Sequence, residues 1–300
     1  MSTHRPHIAS LLVVAALGLA LTGVTANPAS AAQAPVGLGT AAGYAVLGAT
    51  TVTNTGASVI SGDVGLSPGT AVVGFPPGVI NSGTIHATDA AAAQAQADLT
   101  TAYNDAAGRA STATVSADLG GQTLVSGVYT GATLGLTGTL TLDAQGDPNA
   151  VFIFQSASTL ITASASVVAL TNGADACNVF WQVGSSATLG TNSVFVGDVL
   201  ALTSIAATTG ATINGRLLAR NAEVTLDSNT ITKSACGNTT ATTTTTTAAT
   251  SVATTAAVTA TVPTGGLPKT GKSSSTLLLI AIVLVAAGAT LTAVRRRRHA

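Results

Sequence analysis

Phe195-Val196-Gly197-Asp198-Val199-Leu200-Ala201 is echoed, 18 residues on, by Ile213-Asn214-Gly215-Arg216-Leu217-Leu218-Ala219. Glycine aligns with glycine, aspartate with arginine, and Leu-Ala with Leu-Ala. A related phrase, Ile60-Ser61-Gly62-Asp63-Val64-Gly65-Leu66, lies far upstream. Threonine-leucine pairs keep the same beat at 123–124, 141–142 and 159–160, and return at 188–189 and 225–226. The last two stand 37 residues apart, about two periods. A short fixed period in a chain rich in Gly, Thr and Val is the mark of a stacked repeat architecture. Each repeat forms one coil, and equivalent residues align in ladders. Such a chain builds a regular surface better than it builds a pocket.

Within the coils the pattern is that of strands. Residues 50–54, 138–142 and 222–226 alternate, and the short Val/Ile/Leu/Thr runs are punctuated by Gly, Asn, Ser and Asp. Leu142, Leu160, Leu189 and Leu226 are expected to point inward, with the threonine before each pointing out. Phe152 and Phe154 share one face of a strand and read as core. One segment departs from this rule. Residues 88–109 are Ala/Gln-rich, with Thr88 or Asp89 to cap the start. Ala92, Ala95, Leu99, Ala102, Tyr103 and Ala106 form an apolar stripe at helical spacing. The helix is long enough to cover one wall of the stack.

The termini carry addresses. Residues 1–31 combine Arg5, an apolar run over 8–24 and Ala29-Ser30-Ala31, the pattern of an export signal peptide. Near the other end come Leu267-Pro268-Lys269-Thr270-Gly271, an apolar stretch at 276–294 and four arginines in the tail 295–300. Nineteen residues of helix span about 28 Å, close to a bilayer core, and the arginines place the tail in the cytoplasm. The three parts resemble the Gram-positive LPxTG sorting signal. The resemblance implies cleavage by sortase between Thr270 and Gly271 and attachment to peptidoglycan through Thr270. The chain would thus be secreted and wall-bound after a transient membrane stage. Residues 238–266 hold 14 threonines in 29 positions and no charge, and read as a linker.

The formal net charge is zero. Between residues 32 and 270, however, five basic residues (Arg109, Arg216, Arg220, Lys233, Lys269) face all eleven acidic ones, about −6. That argues against nucleic acid, which needs a basic footprint. Enzyme chemistry has little support: His86 is the one histidine of this region, and no nucleophile, P-loop or zinc motif appears. Asp143 and Asp147 flank a turn and serve its backbone; the run offers too few oxygen ligands for calcium. No metal and no cofactor are expected. Cys177 and Cys236, in an exported chain, read as a disulfide. Asp198 and Arg216, one period apart, are expected to be exposed neighbours on adjacent coils.

Longer phrases carry a resemblance to the microbial ice-binding protein family. They are residues 45–56 (AVLGATTVTNTG), 61–68 (SGDVGLSP), 146–155 (GDPNAVFIFQ), 180–190 (FWQVGSSATLG) and 213–221 (INGRLLARN). The resemblance spans the domain at 35–237. It implies an all-β, right-handed, three-faced β-solenoid with one long helix alongside and coils out of sequence order, the early 60–66 phrase stacking near the late coils. It also implies adsorption to an ice crystal through a flat Thr/Ser-rich face. The candidate rank is Thr53, Thr141, Thr159, Thr188 and Thr225, with Thr51, Thr139, Ser186 and Ser204 two residues earlier. Ala206 interrupts the first rank and Glu223 charges the second. A non-catalytic surface adhesin or wall-layer protein on the same scaffold is the alternative.

Overall fold

The computed structural model describes residues 33–236. The leader, linker, sorting motif, apolar stretch and basic tail read from the sequence lie outside these residues. Within them, no helix is long and apolar enough to cross a membrane.

Strands dominate, all neighbours are parallel, and they form one fifteen-stranded and one seven-stranded sheet. The larger sheet consists of two ladders that share two long strands, Val194–Ala201 and Thr212–Ala219. The first half of each lies in one ladder and the second half in the other. Gly197 and Gly215 stand at the bend, with φ of 111° and 151°, a conformation that only glycine adopts without strain. A β-carbon on Gly215 would overlap the carbonyl of Gly197 on the neighbouring strand. This corner is the physical reason for the repetition of residues 195–201 in residues 213–219.

The register joins Asp198 to Arg216 and Leu217 to Val46. Ile213 pairs with Ile231, and Ile231 with Ile60. Strands near the N-terminus are therefore stacked beyond those near the C-terminus, and the early phrase at 60–66 does lie against the late repeats. The repeat itself is not uniform. In the seven-stranded sheet Leu134 pairs with Leu160 and Leu160 with Ala187, steps of 26 and 27 residues; Ala187 pairs with Ile205 and Ile205 with Val224, steps of 18 and 19. The 18-residue beat belongs to the later coils.

Two apolar cores result. The interior holds Leu142, Leu160, Leu189 and Leu226 with an aromatic file in which Phe154 stacks on Trp181 at 4.1 Å and Trp181 lies 5.1 Å from Phe195. The Trp181 indole N–H donates to the Val196 carbonyl at 3.0 Å, so burial leaves no orphan donor. The second core lies under the helix Ala90–Gly108, where Ala95, Leu99, Ala102, Tyr103 and Ala106 meet Leu47, Val128, Ile153, Phe180, Leu200 and Leu218. The strand Phe152–Ser156 thus feeds both cores, Phe152 and Phe154 on one side and Ile153 on the other.

Glutamines fasten the helix to the sheet. The Gln155 amide donates to the carbonyls of Ala106 at 2.8 Å and Arg109 at 2.9 Å, capping the C-terminal end. Gln96 donates to Gly48 and Ala219, and Gln182 to the Tyr103 hydroxyl. At the N-terminus Asp89 accepts the Ala92 N–H at 2.7 Å, and that hydrogen bond, with one from His86, holds its carboxyl below the usual range.

Asp198 and Arg216 are neighbours, as their spacing suggests, but they are not exposed. Their side chains are 1% and 3% accessible, because the N-terminal segment and the C-terminal residues cover the corner where they meet. The sulfurs of Cys177 and Cys236 are bonded and lie beside the same corner.

Candidate functional site

The seven-stranded sheet runs in the order Leu134–Leu136, Leu160–Thr162, Ala187–Leu189, Ile205–Ala207, Val224–Asp227, Thr51–Thr55, Ala71–Val73. In the short strands from Leu134–Leu136 to Ile205–Ala207 the flanking residues are buried and the central one faces out, as the period of two requires; in Ala71–Val73 the order is reversed and Val72 packs on the core. The outward rank reads Gly135, Ile161, Thr188, Ala206, Thr225, Thr53, Val73. Thr188, Thr225 and Thr53 are half-buried, each hemmed by its neighbours along the ladder. Adjacent rungs repeat at about 4.8 Å.

Two residues earlier a second rank runs beside the first. Backbone N–H groups link its members rung by rung: Leu134 to the Thr159 carbonyl, Leu160 to Ser186, Ala187 to Ser204, and Ile205 to Glu223. Thr51 continues it, opposite Ala71. The Ser186 and Ser204 hydroxyls are 2.9 Å apart and hydrogen-bond each other, which fixes both rotors. A third rank, not anticipated from the sequence, includes Thr55 opposite Asp227, and Thr208. The Thr208 hydroxyl donates to the Leu189 carbonyl at 2.8 Å, and that of Thr209 to Asp227 at 2.5 Å. Extending the alternation two residues past Thr53 and Ala206 would have found Thr55 and Thr208.

Seven of the nine candidates share this face: Thr51, Thr53, Thr159, Ser186, Thr188, Ser204 and Thr225. Thr159 belongs to the second rank, beside Ser186, rather than to the first. Thr139 and Thr141 are elsewhere. Their strand, Thr139–Asp143, belongs to the larger sheet, where Thr141 pairs with Thr123 and Ala169. The cause is coil length: the 18-residue step is correct from Thr123 to Thr141, but the coils here are longer, so the next step passes the corner into a different sheet.

The face is not uniform. Ala206 lacks the branch of its neighbours, and a shallow depression lined by Ala206, Thr208, Thr225 and Asp227 opens there. Glu223 interrupts the second rank, and Ile161 is 55% exposed at one end of the first. No cluster of potential metal ligands occurs among the described residues. What the arrangement offers is a sheet face on which Thr53, Thr188 and Thr225 lie beside Thr51, Thr159, Ser186 and Ser204, backed by the leucine core.

Comparison with known proteins agrees with this architecture. The ice-binding-like family model matches residues 46–232, and the LPXTG cell wall anchor motif matches residues 261–300. An ice-binding protein from a Nostoc strain is 54% identical over 202 residues, covering 66% of this chain and 74% of its own length. An ice-binding protein of Flavobacterium frigoris is 38% identical, covering 66% of this chain and 76% of its own. Among solved structures, the ice-binding protein of the Antarctic ascomycete Antarctomyces psychrotrophicus superposes with a TM-score of 0.65 at 49% identity. It covers 67% of this chain and 100% of its own. The relatives that this chain matches are named as ice-binding proteins.

Proposed function

Since the chain belongs to the ice-binding-like family, we propose that it adsorbs to ice through the outward face of the seven-stranded sheet. The observation that carries this reading is the alignment of Thr53, Thr225 and Thr188 in one rank, flanked by Thr51, Ser204, Ser186 and Thr159 in the next. We read the scaffold as a right-handed solenoid of three faces: the helix-covered ladder, the seven-stranded sheet, and the ladder that contains Thr139 and Thr141.

The physics needs no pocket. Thr188, Thr225 and Thr53 each present a methyl and a hydroxyl, on rungs whose repeat is comparable with the ice lattice. Each contact is weak, but a rigid array makes many at once without a further ordering cost. The buried leucines and the Ser186–Ser204 hydrogen bond supply that rigidity. With the LPKTG motif at 267–271, sortase would join Thr270 to peptidoglycan, and the domain would act at the cell surface with residues 238–266 as its stalk.

Recrystallisation inhibition by the purified chain tests this directly. A second reading, a non-catalytic surface adhesin on the same scaffold, is favoured by Glu223 and Ile161, which place a charge and an exposed apolar group in the file. Inhibition of crystal growth at low protein concentration supports ice adsorption. A folded protein with no effect on ice sinks that reading and leaves the adhesin.

A further inference from the structure

We propose that the Cys177–Cys236 disulfide and the Arg216 side chain form a mechanical clamp, which carries tension between the C-terminal tract and the folded domain and keeps it off the last strand. The source of the tension rests on the wall-anchored reading above; the clamp itself does not depend on ice.

The last strand, Thr230–Thr232, has three residues and sits inside its ladder. It pairs with Thr212–Ala219 on one side and Val59–Ser61 on the other. A chain end is usually an edge that can fray at small cost. Here fraying would remove an inner rung, separate the N-terminal strands from the rest of that ladder and expose two unpaired edges. A pull on the chain beyond residue 236 would act first on this strand, opening its few hydrogen bonds one after another.

The four residues that follow are arranged to prevent this. The Lys233 N–H donates to the Ser61 carbonyl at 3.0 Å, and the buried Ser234 hydroxyl reaches Asn214 at 3.2 Å. Arg216 grips from below: Nη2 donates to the Ser234 carbonyl at 3.3 Å, Nε to the Ala42 carbonyl at 3.1 Å, and Nη1 to Asp198 at 3.0 Å. One side chain thus ties the C-terminal segment to the N-terminal one and to an adjacent strand. Two residues on, Cys236 is bonded to Cys177.

Cys177 lies in the short helix Ala176–Asn178, which leads directly into Val179–Val183. That strand is buried along its whole length, is paired on both sides, and carries Trp181 into the aromatic file. Tension arriving at Cys236 therefore passes through a covalent bond into a strand that is buried along its whole length. The intervening strands, Thr230–Thr232 among them, carry none of it. To fail, the molecule must break many contacts of Val179–Val183 together rather than those of a three-residue strand in turn.

The test is to stretch the full chain in optical tweezers between its C-terminus and a handle placed at Asn104, an exposed position on the helix. A second geometry pulls between the N-terminus and Asn104. The oxidised protein is compared with the same folded protein reduced in the trap and with the Cys177→Ser/Cys236→Ser double variant. Reduction of already folded protein keeps the comparison informative if the variant folds poorly. In the C-terminal geometry, opening the disulfide should introduce an early low-force step. Release of the 59-residue segment corresponds to an extension of about 200 Å. The N-terminal geometry should be unchanged. Equal forces in oxidised and reduced protein would overturn the proposal. So would equal weakening in both geometries, which would make the disulfide a general stabiliser without direction. Absence of ice activity in the same sample bears only on the function proposed above.

Discussion

The carboxylate of Asp198 and the guanidinium of Arg216 meet at 3.0 Å on adjacent strands, at equivalent positions of two 18-residue repeats, and neither reaches solvent. Burial pushes the Asp198 carboxyl up to about 6, even though the Arg216 charge and hydrogen bond pull it down. An unfolded chain binds that proton only below about pH 4. Between these values the folded state holds a proton that the unfolded state has released. The group's stabilising contribution is therefore full below about pH 4 and is lost as the pH rises through 6. Melting curves across pH 4 to 7 should show wild-type stability falling relative to Asp198→Asn, which has no such proton to lose. Parallel curves would show that Asp198 is ionised throughout.

Position decides the effect of a bulky substitution on ice. Thr188→Tyr and Thr225→Tyr raise a ring above the first rank of the seven-stranded sheet and should abolish thermal hysteresis and recrystallisation inhibition while leaving circular dichroism unchanged, since outward-facing strand positions accept Tyr. Thr141→Tyr lies on a different ladder and should retain full activity. Activity lost at Thr141 and kept at Thr188 would assign ice contact to the other face.

Trp181 stands at the centre of the aromatic file and is fully buried, with Phe154 stacked 4.1 Å away. Trp181→Ala should cost about 3–5 kcal/mol, the range for emptying a large aromatic site in a packed core. Urea titration of the purified protein measures it. A loss below about 1 kcal/mol would mean that the neighbouring coils collapse into the space.

The Gln155 amide accounts for the free carbonyls at the end of the helix. Gln155→Leu preserves bulk but leaves them without a donor in a buried position, which costs about 1–3 kcal/mol. Amide exchange should accelerate in the last turn near Ala106 before it does so at Leu99. Uniform acceleration along the helix would reject a local capping role.

The sequence made some of this legible and hid the rest for definite reasons. The helix could be read because Ala92, Ala95, Leu99, Ala102, Tyr103 and Ala106 keep a 3.6-residue spacing that no strand can mimic, and all six are buried. The Asp198–Arg216 adjacency followed from exact repetition, but its burial did not, because the covering residues come from both distant ends of the domain. Register failed where coils change length. The first three Thr-Leu pairs are evenly spaced in number yet turn a corner in space, and no local signal separates an 18-residue coil from a 27-residue coil interrupted by a loop. For this reason Thr139 and Thr141 lie on a different ladder from the other candidates, and Thr159 lies in the second rank beside Ser186.

The order of stacking also governs when the domain can fold. Val46 finds Leu217, Thr53 finds Thr225 and Ile60 finds Ile231, partners that follow by about 170 residues. The first strands to be synthesised have each other, but the surfaces that complete them are made last. Loop closure over such distances is entropically slow, and chains dominated by non-local pairs fold late. This domain therefore completes its fold only once its last strands are available. Until residue 232 is in place, Val46, Thr53 and Ile60 lack the partners that close their ladders.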